Sequence, residues 1–145
     1  IVSKSKYDAL EFAVLVGCAN SHTAVLEGFN KRNIHVIQHT NEITQVMAGC
    51  DIGISARDST CLDLALLGIP SISIAKNAQE EKNTYISRDN GFSYLGFNPS
   101  DDIIIAFLDM YVQMSSFERQ KRQDLLLSHD SRNGRKRVMN LINSL

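Results

Sequence analysis

Residues 51–82 read DIGISARDSTCLDLALLGIPSISIAKNAQEEK, and the punctuation of this stretch decides the fold. Ile52 to Ser55 is a short apolar run, Ala56 to Ser59 a polar turn, Thr60 to Leu67 an apolar helix, and Ser71 to Ala75 a second short apolar run. Short Ile-rich runs of this kind are expected of strands covered on both faces. Gly68 can take the left-handed conformation that closes a helix, and Pro70 cannot continue one, so the helix stops sharply. The unit is a strand, a crossover helix and a parallel strand. Lys76 to Glu80 then opens a polar helix that the pattern carries to about Asp89.

In open α/β sheets, ligands sit beyond the carboxyl ends of the strands, where helix amino-termini offer unpaired N–H groups and a partial positive charge. Asp58, Ser59 and Thr60 hold that position. Either Ser59 or Thr60 caps the helix, with Asp63 reaching back as a weak capping-box partner, or these side chains face an anion. Arg57 can offset the Asp58 charge by pairing with it or by reaching a phosphate itself.

The same grammar extends outward in both directions. Ile1 to Leu10 reads as an entry segment or short helix, and Phe12 to Gly17 as a strand, apolar throughout and therefore central. Gly17, Asn20 and Ser21 make a small-residue turn into a helix that runs through Arg32, a second place where a phosphate could meet a helix amino-terminus. His22, just inside that turn, is an exposed first-turn residue or a phosphate contact. Ile34 to Gln38 is the next strand, and Glu42 to Gly49 a short helix. Past the central stretch, Phe92 to Leu95 is a fifth strand. Ser100 onward is helical, with breaks before Ser116 and across His129 to Gly134, and Arg135 to Ser144 closes the chain as an amphipathic helix. Five strands alternating with helices define an α/β class, a three-layer Rossmann-like parallel sheet forming one domain over residues 1–145.

Composition narrows the function classes. At 145 residues with 43% hydrophobic and 21% charged content, the chain is long enough to bury a core and reads as soluble. A net charge of −1 supplies no global field for nucleic acid or membrane, and no apolar run approaches a membrane span. The three cysteines, Cys18, Cys50 and Cys61, lack C-x-x-C spacing and read as free, buried thiols of a reducing, cytoplasmic compartment. His22, His35, His39 and His129 are scattered, so metal catalysis is not supported, and no cofactor is expected. The basic tail, Arg119, Lys121, Arg122, Arg132, Arg135, Lys136 and Arg137, is a solvated helix face or a docking patch.

The order of short motifs resembles the carboxy-terminal domain of the pseudaminic-acid-pathway UDP-sugar hydrolase and of its spore-coat polysaccharide biosynthesis relatives. That domain is the carboxy-terminal half of the B-type glycosyltransferase fold (family 28-like). The resemblance rests on Asp51-Ile52-Gly53-Ile54, Ser59-Thr60, Asp63, Leu67-Gly68-Ile69-Pro70, Ala78-Gln79 and Gly91 to Gly96, and on an outline of Asp130, Gly134 and Arg137-Val138. The chain departs from the family at Ala56-Arg57-Asp58, where Gly-Gly or Ala-Gly is usual. It departs again at Asp63, where Glu is usual, and at Ala78, where an Asn precedes the Gln, although Asn77 lies beside it.

The resemblance implies that the diphosphate of a UDP-sugar lies at the Gly17-Asn20-Ser21 and Ser59-Thr60 turns. Asp63 would then meet the ribose, Asn77 and Gln79 the sugar hydroxyls, and the main chain at His39-Thr40 the base. It also implies that the water-activating residues belong to an amino-terminal domain of the parent chain, of which a chain opening on Ile1-Val2-Ser3 would be a fragment. No catalytic residue is assigned within residues 1–145. Two rivals stand beside this reading. One is a non-catalytic scaffold or partner module with a degenerate nucleotide site. The other is an unrelated doubly wound domain, of which the receiver type fails because Gly17-Cys18-Ala19 stands where an acidic cluster would be.

Overall fold

The structure, a computed structural model, describes residues 1–17, 20, 23–29, 32–38 and 41–144, with the side chains of Thr23 and Ser131 excepted. Cys18, Ser21, His22, His39 and Thr40, all singled out from the sequence, lie outside the described residues. The chain forms two compact units, Ile1–Val46 and Met47–Leu145.

In the first unit, a 3-10 turn at Ser5–Tyr7 precedes strand β1 (Phe12–Val16), helix α1 (Thr23–Glu27) and strand β2 (Ile34–Gln38), and helix α2 (Ile43–Ala48) runs across the junction. The strands pair in parallel, Phe12 opposite Ile34 and Val16 opposite Gln38. Tyr7 and Ile34 are buried, and Asn33 ties the entry segment down by donating to the Tyr7 and Leu10 carbonyls at 3.2 and 3.0 Å. Two sequence expectations shift here. Helix α1 is one turn long and ends at Glu27, with turn geometry over Gly28-Phe29, where Gly lowers helix propensity. Among the described residues, strand β1 pairs with β2 alone, and Ala13 is exposed, so apolar character at every position did not make it central there.

The second unit contains residues 51–82. Strands β3 (Gly53–Ala56), β4 (Ser71–Ala75) and β5 (Ser93–Phe97) form a parallel sheet in that order, with Gly53 opposite Ser71 and Ile72 opposite Ser93. Helix α3 (Ser59–Leu66) is the β3-to-β4 crossover, and α4 (Ala78–Glu81) with a 3-10 turn at Arg88–Asn90 connects β4 to β5. Helices α5 (Asp101–Val112), α6 (Ser116–Ser128) and α7 (Gly134–Asn143) follow. Two parallel sheets flanked by helices make the chain an α/β protein of the Rossmann-like kind expected from its sequence.

Packing explains why the crossover is so sharply bounded. Gly68 has a φ of 73°, the left-handed conformation that costs other residues most, and it closes α3 by donating to the Ala65 carbonyl at 2.9 Å. Cys61 and Ala65 on α3 pack with Ile86, Phe92 and Leu126 in one apolar cluster, so α3 and α6 share a core. Close packing also fixes Gly53: a Cβ there would stand 2.6 Å from Leu64 Cδ1, so β3 lies directly against α3. A polar pin sits beside this core, where the buried Tyr111 hydroxyl shares its one proton between the Ser71 carbonyl at 3.1 Å and Ser93 Oγ at 2.8 Å, joining α5 to β4 and β5. By contrast α7 buries none of its residues, and Val138, Met139, Leu141 and Ile142 are exposed.

Candidate functional site

At the carboxyl end of β3, the chain turns into α3 through Arg57 and Asp58. Asp58 is the N-cap: its backbone is extended and its Oδ1 accepts the Thr60 N–H at 2.9 Å. Sequence reasoning gave the cap to Ser59 or Thr60, one or two residues too late. A carboxylate is at least as good an N-cap as a hydroxyl and also meets the positive end of the helix dipole. Ser59 is exposed, Thr60 half-buried and Asp63 exposed, and Asp63 takes no part in the cap.

The neighbouring loop reaches the same point. Lys76, just past β4, places Nζ 2.9 Å from Asp58 Oδ2 and 3.2 Å from Glu80 Oε1, while its backbone N–H donates to Glu80 Oε2 at 3.0 Å. Burial pushes the Asp58 carboxyl up, but hydrogen bonds from Lys76 and Thr60, with the Lys76 charge, outweigh it and hold the group below the ordinary carboxylate range. The matching effect on Lys76, hydrogen bonding to Asp58 and then Glu80, raises its ammonium above the usual range. Asn77 caps α4, its Oδ1 accepting the Gln79 and Glu80 N–H groups at 3.0 and 2.9 Å. Gln79 is exposed beside it.

Arg57 does neither of the things its sequence position suggested. It is 5% exposed and turns away from Asp58. Its guanidinium donates from Nη1 to the Glu81 carbonyl at 2.9 Å and from Nη2 to the carbonyls of Ile86, at 2.7 Å, and Asn83. The Tyr94 ring lies beneath it, 3.6 Å from centroid to Cζ. The polar helix expected to reach Asp89 is the four-residue α4: past it the Tyr85 N–H donates to Asn83 Oδ1 at 3.2 Å rather than to the Glu81 carbonyl, and the Glu81 and Asn83 carbonyls accept from Arg57.

The structure thus brings Ser59, Thr60, Asn77 and Gln79 together at the ends of β3 and β4, with Asp63 further along α3. Sequence reasoning missed Lys76 as the link between the two loops. Its position four residues before Glu80 and directly after a strand was the available signal. Gly17 and Asn20 belong to the first unit, where both are exposed and the Asn20 N–H donates to the Gly17 carbonyl at 3.0 Å. A Cβ at Gly17 would meet nothing, so that glycine is not demanded by space.

Among the described residues, no group of three or more His, Cys, Asp or Glu side chains could hold a metal, and no helix is long and apolar enough to cross a membrane. Cys61 is buried and free, and burial pushes its thiol up despite hydrogen bonding from neighbouring serines. Cys50 is half-buried, its thiol likewise raised by burial and by the adjacent Asp51. Neither thiol is held in the nucleophilic thiolate form. No protein-family model matches the chain, and no curated protein matches it.

Proposed function

We propose that the chain is a nucleotide-sugar-binding domain, with a UDP-sugar as ligand, from a cytoplasmic hydrolase or glycosyltransferase of surface polysaccharide or nonulosonic acid biosynthesis. One observation carries this reading: two helix amino-termini at adjacent parallel strand ends are joined by a single ammonium, Lys76 on Asp58. That arrangement offers an anionic ligand a cation, the exposed Ser59 hydroxyl and the half-buried Thr60. It offers a sugar the Asn77 and Gln79 amides, each able to donate and to accept. The motif order of the resembled family assigns those same positions to phosphate and sugar. A diphosphate here must exchange with Asp58 for Lys76, so affinity is set by that exchange. Chemistry on the bound ligand requires groups from an amino-terminal domain of the parent, because no described residue here pairs a base with an orienting partner at the site.

A second reading is favoured by Asp58 itself. A carboxylate already accepts the Thr60 N–H, which suits a domain of this fold that has closed its phosphate position and serves as a scaffold or partner module. Calorimetric titration of UDP and UDP-N-acetylhexosamine separates the two. Binding weakened by Thr60→Ala and Asp63→Ala supports the nucleotide-sugar reading; no heat at millimolar ligand supports the scaffold.

A further inference from the structure

We infer that Arg57 is a positioning residue of the candidate site, a clasp that fixes the β4–α4 loop against the β3–α3 turn without itself meeting the ligand. For the identity of the ligand, this inference rests on the nucleotide-sugar reading.

Helix α4 is a single turn. Its four residues, Ala78–Glu81, are far fewer than a helix needs to persist in water, so the placement of Asn77 and Gln79 depends on what holds the segment at either side. At its amino end the hold is the Lys76–Asp58 pair, which lies on the surface and is worth little. At its carboxyl end the hold is Arg57, whose guanidinium gathers the carbonyls of Glu81, Asn83 and Ile86. The Arg57 main chain is anchored as well, its N–H donating to the Ile74 carbonyl at 3.0 Å. One residue therefore clasps β4 with its backbone and the end of α4 with its side chain, while the next residue, Asp58, caps α3.

The chemistry of the group fits this work and not anion binding. Nη1 and Nη2 are both spent on carbonyls, Nε is buried without a partner among the described residues, and one face of the plane is covered by Tyr94. A buried guanidinium without a carboxylate is costly to keep, and what it supplies in return is direction: a rigid planar fork that holds several carbonyls in a fixed arc. Lysine offers a compact point charge on a flexible stem and cannot reproduce the fork or the stacking. Tyr94 comes from β5, so the clasp ties all three strands of the sheet to the loop that carries the candidate sugar contacts.

Two measurements on the full chain test the assignment, using Arg57→Lys and Tyr94→Leu beside the unaltered protein. Amide hydrogen exchange is the ligand-free arm. Losing one charge-assisted hydrogen bond to the segment raises exchange at residues 78–86 about tenfold or more, with α5 and α6 unchanged in both variants. Unchanged exchange at residues 78–86 in a folded Arg57→Lys protein overturns the inference, as does an increase spread evenly over the whole unit. The second arm is a double-mutant cycle read by calorimetry with UDP-N-acetylhexosamine. Gln79→Ala weakens binding about fivefold in the unaltered background and less than about twofold beside Arg57→Lys, because the amide is then no longer held in place. A merely structural Arg57 gives the same Gln79 penalty in both backgrounds, and that result overturns the positioning role. Absence of binding by the unaltered protein sinks the nucleotide-sugar reading instead, and the exchange arm still decides the clasp.

Discussion

Replacing Asp58 by Asn separates the two things this side chain does. Asn is as good an N-cap as Asp, so the Thr60 N–H keeps its acceptor and the α3 terminus stays closed. What disappears is the negative charge and with it the ion pair to Lys76, whose side chain is 58% exposed against 31% for Asp58. A pair that open to solvent is worth at most about 1 kcal/mol, so the loss of stability stays below about 1 kcal/mol. The folded-state carboxyl lies below its ordinary range, so its contribution is present at neutral pH and is lost as pH falls through the folded value. The stability gap between the two proteins therefore closes in acid. Ligand binding moves the other way. A unit charge about 4 Å from a phosphate costs about 1 kcal/mol even at the dielectric constant of water, which is about fivefold in affinity, and more where water is thinned. Thermal melts from pH 7 down to pH 3, paired with UDP calorimetry at two salt concentrations, read both quantities. Tighter binding by Asp58→Asn, most pronounced at low salt, is the expected result. Unchanged or weaker binding refutes the placement of a phosphate at this turn, and a loss above about 3 kcal/mol refutes the treatment of the pair as solvent-screened.

Two further substitutions probe the scaffold beneath the site. Gly53→Ala places a methyl group 2.6 Å from Leu64 Cδ1, and overpacking of that kind is expected to cost about 1–3 kcal/mol in a denaturant midpoint, with little change in slope. Tyr111→Phe removes the donor to the Ser71 carbonyl and Ser93 Oγ, and a loss of about 1–2 kcal/mol is expected in the same assay without a change of fold.

Much of the architecture was legible because it was written in local signals. The β3–α3–β4 unit follows from two short Ile-rich runs and a Gly-x-Pro stop, and the left-handed Gly68 is the conformation that stop requires. The capping box of α6, in which Ser115 Oγ accepts the Glu118 N–H at 3.2 Å, lies at the break read before Ser116. What failed were features decided across the chain. The polar segment after Asn77 has helical composition, yet it stops after one turn, where Asn83 takes the Tyr85 N–H on its own side chain and Arg57, more than twenty positions earlier, takes the Glu81 and Asn83 carbonyls. From the sequence Arg57 reads as a partner for Asp58 or for a phosphate, since burial of a guanidinium depends on an arc of acceptors that no local pattern displays. The cap fell to Asp58 because three consecutive candidates, Asp-Ser-Thr, all suit that position, and only the backbone decides among them.

Backbone chemical-shift mapping with UDP tests the central claim most directly. Addition of UDP is expected to move the amide resonances of Asp58, Ser59, Thr60, Lys76, Asn77 and Gln79 together, with one dissociation constant. No movement at millimolar UDP, or movement confined to the far side of the unit along α5 and α6, contradicts a nucleotide site at the ends of β3 and β4.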